Sequence, residues 1–449
     1  MRFHVLSLPH TITRKDYSAC AFTMKVLKWC KMMTRRGHTV YHYGHKDSEV
    51  ECTEHVPVTF DEDLKIAYGD HNWRKNFFKH NTADYAHQIF NKRAIIEVGK
   101  RKQKHDFVLC FWGYAHKPIF QAHPELIPVE PGIGCTNEPC CPQNIYESYS
   151  VMNQVYGMYK RSPHWYDAVI PNYFDPQDFE FNDKPQDYFL FVGRIMTSKG
   201  IGIAVDVSKR LGMKLKVAGQ GDLAATIGKI PDNVEIVGYV EPKERCELMK
   251  NAKLLFAPTH YNEPFGGVMV EALFCGTPVI TTDWGGFAEN NLHGVTGYRC
   301  RTMEQFVWAA KNIDKISRKA CHDWAMKNFS LERVSLMYEE YFQTLSKIYS
   351  GQGFYEENPG RCELNWLERY YPDTITKEPT SPSHVEIEEV SQTSCIPEFH
   401  PTPSEEKADE LLTSQPVSEQ SSLSNSQETN NKDDTQVQAV QEPVPSTQE

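Results

Sequence analysis

Glu263 and Glu271 stand eight positions apart in NEPFGGVMVEALFCGTPVITT (262–282), on either side of a Phe-Gly-Gly turn. A carboxylate accepts two neighbouring hydroxyls at once, so a pair of carboxylates can read the diols of two sugar rings. Gly266 and Gly267 let the backbone approach a ligand closely. A helix starting there directs free N–H groups and the positive end of its dipole at an anion. Diphosphate fits that place, with Glu263 before the helix and Glu271 about one turn inside. Upstream, FVGRIMTSKG sets Arg194 and Lys199 in a loop after an apolar strand, two cations for one anion. Singly, these are side chains that any helix surface or loop carries. Together they describe a sugar–diphosphate–ribose ligand, one Glu on the sugar and one on the ribose.

Two α/β patterns must position these groups. In the first, FHVLSL (3–8) reads as a strand, residues 18–36 as a helix stopped by Gly37, and TVYHY as the next strand. DFVLCFW (106–112) and LIPVEPGIG (126–134) give later strands. The second starts near Tyr188 with YFLFVGR, then a helix over 200–212, LKVAGQGD, VEIVGYV, a helix over 242–252, KLLFAP, the Glu-rich segment and PVITTD. Apolar strands alternating with helices predict parallel sheets covered on both faces. IPNYFDP (170–176) serves as connector, and SLERVSLMYEEYFQTLSKIY (330–349) as a last amphipathic helix.

The net charge of −11 describes one end of the chain. Sixteen acidic and three basic side chains fall between Asp373 and Glu449, which leaves 45 basic and 43 acidic elsewhere. No basic block points to nucleic acid. The 373–449 segment, rich in Ser, Thr, Gln, Glu and Pro with Phe399 its sole aromatic residue, is expected to be disordered. Thirteen scattered cysteines, with no CxxC pair, argue against a disulfide scaffold, and Cys140-Cys141 reads as a reduced pair in a loop. The opening MRFHVLSLPHTITRK has too short an apolar run for a signal peptide, and no stretch approaches the ~20 apolar residues of a membrane span. A cytoplasmic setting is expected, with peripheral membrane contact left open.

FVGRIMTSKG, VEIVGYV, FAPTHYNEPFGGVMVEALFCGTPVITTDWGGFAEN and HGVTGYRC resemble, in order and spacing, the C-terminal half of a GT-B glycosyltransferase of family GT4. The resemblance covers about residues 185–335. VEPGIG and YESYSVMNQVYGMY (146–159) look like a subgroup from bacteria, phages and large DNA viruses. It implies an α/β GT-B fold, two Rossmann-like domains facing across a cleft: an acceptor domain over 1–180, a nucleotide-sugar domain over 181–330, a helix and extension over 331–372 packing back on the first domain, and the disordered tail. It also implies a retaining hexosyltransferase that uses UDP first and GDP second, with no metal and no cofactor. The acceptor would be a hydroxyl of a glycan, glycoprotein or glycolipid.

Carried over by position, Arg194 and Lys199 hold the diphosphate, Glu271 the ribose, and Glu263 the transferred sugar. Backbone of Phe265, Gly266, Gly267 and Val268 meets sugar and phosphate. Tyr239 and Val240 meet the base, with Gly219 and Gly221 beside the same cleft. The glycine-rich loop usual after the first strand is replaced by LPHTITRKDYSACAF, where Lys15, Asp16 and Ser18 reach the ligand or cap the helix, capping being preferred for Ser18. Glu130 or His116 is expected to face the cleft and serve the acceptor. DED (61–63) has the metal-binding form of the other glycosyltransferase fold but reads as a solvated loop. His38, His42 and His45 lack a carboxylate or cysteine at ligand spacing. An epimerase and a non-catalytic sugar-nucleotide binder are the rival functions.

Overall fold

The computed structural model describes residues 1–76, 78–163 and 166–352. The expected tail, and residues 353–372 of the expected extension, lie outside the described residues.

Seven parallel strands form the first sheet: β1 (Arg2–Leu6), β2 (Thr39–His45), β3 (Glu54–Thr59), β4 (Phe107–Cys110), β5 (Ile127–Ile133), β6 (Gln143–Tyr146) and β7 (Ala168–Val169), in the order β3-β2-β1-β4-β5-β6-β7. Six more form the second: β8 (Phe189–Val192), β9 (Leu215–Ala218), β10 (Val234–Gly238), β11 (Leu254–Ala257), β12 (Val279–Thr282) and β13 (Gly297–Cys300), in the order β10-β9-β8-β11-β12-β13. Strands such as FVLC and LLFA are buried at every position because helices cover both faces. The Ala21–Arg35 helix presents Val26, Trp29, Cys30 and Met33 to the first sheet at helical spacing. It ends where Gly37 takes φ +80°.

The helix Leu331–Lys347 follows the second sheet but packs on the first. Ser330 caps it, and Leu331, Val334, Tyr338, Phe342 and Leu345 join one core with Phe3, Trp29 and Phe107. The Phe342 ring lies 4.8 Å from both Phe3 and Phe107. The chain therefore crosses between the sheets twice, and the crossings are bonded side by side. Phe174 N–H donates to Phe329 O at 2.8 Å, and Leu331 N–H to Phe174 O at 2.9 Å.

The sequence reading missed some elements and misread one. FDEDLK is not a loop: the helix Asp61–Tyr68 begins there, its first turn acidic as the dipole favours. Asp63 accepts from Phe60 N–H at 2.9 Å and pairs with Arg93. β3 escaped because Glu54 and Pro57 break the apolar pattern. The helix Tyr85–Arg101 escaped because its buried positions include small Ala86 and Ala94.

At the C-terminal ends of β8, β9 and β10 the backbones are drawn together. Gly193 N–H donates to Ala218 O at 3.0 Å, and Gly219 N–H to Gly238 O at 2.7 Å. Gly219 has φ +145°, and a Cβ there would stand 1.9 Å from Gly193 O. Gly219→Ala must therefore push the two loops apart. We expect a loss of about 1–3 kcal/mol, read as a lower urea midpoint at unchanged m-value.

Candidate active site

One cavity of about 730 Å³ opens between the two sheets, at the C-terminal ends of the second sheet's strands, where open α/β sheets bind ligands. Arg194 and Lys199 reach it from the β8 loop and Gly219 from the end of β9. Tyr239 and Val240 reach it after β10, and Glu263 after β11. Gly267, Val268 and Glu271 reach it from the helix Gly267–Phe274. Three expected residues stand behind this wall. Gly221 lies under Ile195 O. Phe265 is buried against Phe174, with ring centroids 6.2 Å apart. Gly266 starts the helix at φ +89°, where a Cβ would meet the Phe287 ring at 2.4 Å. Only glycine makes that turn.

The charges are already paired. Lys199 Nζ donates to Glu263 Oε2 at 2.8 Å and lies 4.8 Å from the Tyr261 ring centre. Arg245, on the helix Pro242–Asn251, grips Glu271 in a fork: Nε to Oε2 at 3.1 Å and Nη2 to Oε1 at 3.3 Å. The four side chains are 14–22 % exposed, so their attractions are less screened than surface pairs.

The first domain supplies a third cation. Lys25, Lys28 and Lys31 are spaced by three along the Ala21–Arg35 helix and face inward. Lys25 is buried on Glu147 and donates to Gly132 O at 2.7 Å, and Lys31 pairs with Asp175. Lys28 lines the cavity, 4.1 Å from the Phe174 ring centre. Burial pulls its pKa down to about 8, against the opposing pull of Glu271.

An aromatic wall faces these charges. Trp73 and Phe78 stack with centroids 4.9 Å apart, and Trp112 lies 5.0 Å from His10 and 5.2 Å from His80. All five line the cavity. His10 is buried and its Nδ1 finds no partner among the described residues. Burial, then the neighbouring His80 and His87, holds its pKa well below the usual value, so it is neutral. Trp112 Nε1 donates to His87 Nε2 at 3.1 Å, and Asp84 lies 2.8 Å from His87 Nδ1.

Polar contacts bridge the cleft. Glu289 accepts the Tyr149 and Ser150 N–H groups at 2.9 and 2.8 Å, at the start of the helix Tyr149–Tyr159, where an anion is favoured. Asn262, next to Glu263, donates to Gln154 Oε1 at 2.6 Å. Gln220, between Gly219 and Gly221, donates to Arg74 O at 2.7 Å.

Neither expected acceptor residue faces the cavity. His116 is tucked beneath the turn Gly113–His116, with Nε2 2.9 Å from Ser7 O and its ring stacked on Phe90. Burial lowers its pKa to about 3, and it acts as a neutral strut. Glu130 is covered by the loop that follows β5 and accepts from Cys140 N–H at 2.9 Å, and burial raises its pKa to about 7. Ser18 does not cap the helix either. The helix starts at Ala21 without a side-chain cap, and the Ser18 hydroxyl is buried at the cavity without a partner among the described residues. Lys15 lines the cavity and donates to Asp178 at 2.8 Å, and Asp16 pairs with Arg14 and Arg74. His42 meets His55 at 2.9 Å and His38 meets Glu339. His45 does acquire carboxylate neighbours through the fold, Asp47 and Asp61, and Lys46 already holds Asp61 at 2.6 Å.

His10, Lys28, Arg245 and the aromatic wall were not found by sequence reasoning. His10 follows the first strand in LPH, a place where a ligand-facing residue is expected. Lys28 and Arg245 carry no such signal, because both sit among charged residues that read as solvated helix faces.

Residues 174–327 match the family described as Glycosyl transferases group 1. An uncharacterized glycosyltransferase of Methanocaldococcus jannaschii is 28% identical over 237 residues, 46% of this chain and 57% of that protein. A glycogen synthase of Mycobacterium tuberculosis is 34% identical over 122 residues, 25% of this chain and 29% of that protein. The chain thus spans less than two thirds of either relative. Among solved structures, a glycosyltransferase involved in avilamycin A biosynthesis superposes with a TM-score of 0.58 at 16% identity, covering 78% of this chain and 98% of that one. Anabaena HepE, solved with UDP and glucose, gives 0.56 at 13% identity, covering 77% and 100%. Those likenesses establish the fold. The family match is confined to residues 174–327, the second sheet and its helices, and there the chain is similar to the group 1 glycosyltransferases.

Proposed function

We propose that the protein transfers a sugar from a nucleoside diphosphate sugar, UDP before GDP, to a hydroxyl of a saccharide acceptor, free or carried on protein or lipid, with retention of configuration. The observation that carries this reading is the meeting of Arg194, Lys199, Glu263 and Glu271 around one cavity. The diphosphate lies between the two cations and the amides at the start of the Gly267–Phe274 helix. Glu271 exchanges the Arg245 fork for the ribose hydroxyls, and Glu263 takes hydroxyls of the transferred sugar. The base sits against Tyr239 and Val240.

Catalysis on this reading is placement plus stabilisation of the departing diphosphate. The leaving phosphate oxygen accepts the acceptor's proton on the face from which it departs, so no protein nucleophile is assigned. Both carboxylates of the donor half are ion-paired to lysine or arginine, and the cations supply the countercharge that a divalent ion supplies elsewhere. The acceptor stacks the apolar face of a sugar ring on Trp73, Phe78 and Trp112. An epimerase would need an acid–base pair flanking one sugar carbon, and neither paired carboxylate is set up for that.

No helix among the described residues is long and apolar enough to cross a membrane, and eleven described cysteines are free thiols, which suits a reducing cytoplasmic setting.

Five outcomes test this reading. Glu271→Ala should weaken UDP binding about 10–100-fold by calorimetry. Lys199→Ala should lower kcat about 100–1000-fold with a smaller change in affinity. Full activity in both variants contradicts the site. UDP affinity should also fall as pH rises through about 8, where free Lys28 loses its proton and binding must restore it. Lys28→Met should remove that pH dependence. Turnover in brief EDTA, without added Mg²⁺ or Mn²⁺, should match turnover with them, and loss of activity would contradict metal-independent transfer.

A further inference from the structure

Neither the donor half nor the aromatic wall uses the loop CTNEPCC (135–141), although it covers Glu130. One carboxylate oxygen of Glu130 and the sulfurs of Cys140 and Cys141 all lie within 4.8 Å of one another. The two sulfurs are 3.9 Å apart. Two thiolates bound to one tetrahedral zinc at about 2.3 Å each are separated by about 3.8 Å, so the spacing admits a shared ion. A disulfide needs the sulfurs at about 2.05 Å. At the end of β4, the Cys110 thiol hydrogen-bonds that of Cys141 and offers a further sulfur beside the trio. Cys110, Glu130 and Cys141 are all buried. Glu130 is 8 % exposed and has no ion-pair partner among the described residues. A buried carboxylate without a cation, beside two cysteine sulfurs, is an arrangement a soft divalent ion satisfies.

We propose that Cys110, Glu130, Cys140 and Cys141 bind one structural Zn²⁺ ion. Each cysteine that enters the shell forms an S–Zn bond and releases its thiol proton to solvent. The Cys140 N–H bond to Glu130 remains and orients the carboxylate from outside the shell. The ion ties the ends of β4 and β5 to the loop that leads into β6. Trp112, two residues beyond Cys110, lies in the cavity wall, so this clasp steadies the acceptor side of the cleft. The proposal is independent of the donor reading: the ion touches neither diphosphate nor sugar, and buried zinc thiolates outlast brief EDTA.

The test is made on the full chain, produced with zinc in the medium and then desalted. Elemental analysis should find about one zinc per chain. Replacing it with Co²⁺ should give intense sulfur-to-cobalt charge transfer together with the d–d bands of a tetrahedral site. The double variant Cys140→Ser, Cys141→Ser should lose the zinc and melt at a lower temperature, with an unchanged far-ultraviolet circular dichroism spectrum. If that variant fails to fold, the cobalt spectrum of the unaltered chain decides. Zinc below about a tenth of an ion per chain overturns the proposal. So does cobalt bound without charge transfer, the result expected of His45 with Asp47 and Asp61. A disulfide among Cys110, Cys140 and Cys141 in the freshly purified chain overturns it as well.

Discussion

A half-buried cleft keeps its cations charged most readily where carboxylates neutralise them before a ligand arrives. That constraint organises this protein. Lys199 rests on Glu263, Arg245 on Glu271, Lys25 on Glu147 and Lys31 on Asp175. On our reading the ligand does not add charge to a neutral pocket. It exchanges one set of partners for another: phosphate for carboxylate at the cations, sugar and ribose hydroxyls for guanidinium and ammonium at the acids.

Such an exchange needs both halves of the molecule held in register. The two chain crossings are bonded together at Phe174, Phe329 and Leu331, so the halves share one narrow joint. The last helix returns to the first sheet and buries Tyr338 and Phe342 beside Trp29. Opposite the joint, Glu289 sits on the N-terminus of the Tyr149–Tyr159 helix, and Asn262 bonds to Gln154 next to Glu263. These are exposed or partly buried polar contacts that water can replace, whereas the joint side is apolar core.

The second sheet was legible in the sequence because its strands are apolar on both faces and glycines mark their ends. That Arg194, Lys199, Glu263 and Glu271 would share one cavity was legible because phosphate and diol chemistry restricts the side chains that can serve. The acceptor side was not. Glu130 and His116 were chosen as polar residues near strand ends, but the turn Gly113–His116 and the loop over Glu130 fold inward and bury both. Conversely, the lysines at 25, 28 and 31 have the spacing of a solvated stripe, and only the packing of their helix beside Phe174 brings Lys28 to the cleft. DED was misread because three acids in a row mark a helix start as readily as a loop.

The central claim is that the paired charges are placeholders for a nucleoside diphosphate. A crystal structure of the protein with UDP tests it most directly. The account predicts the diphosphate between Arg194, Lys199 and the first amides of the Gly267–Phe274 helix, with Glu271 turned from Arg245 to both ribose hydroxyls. UDP bound elsewhere, or bound here with the Arg245–Glu271 fork intact and the ribose untouched, would contradict it.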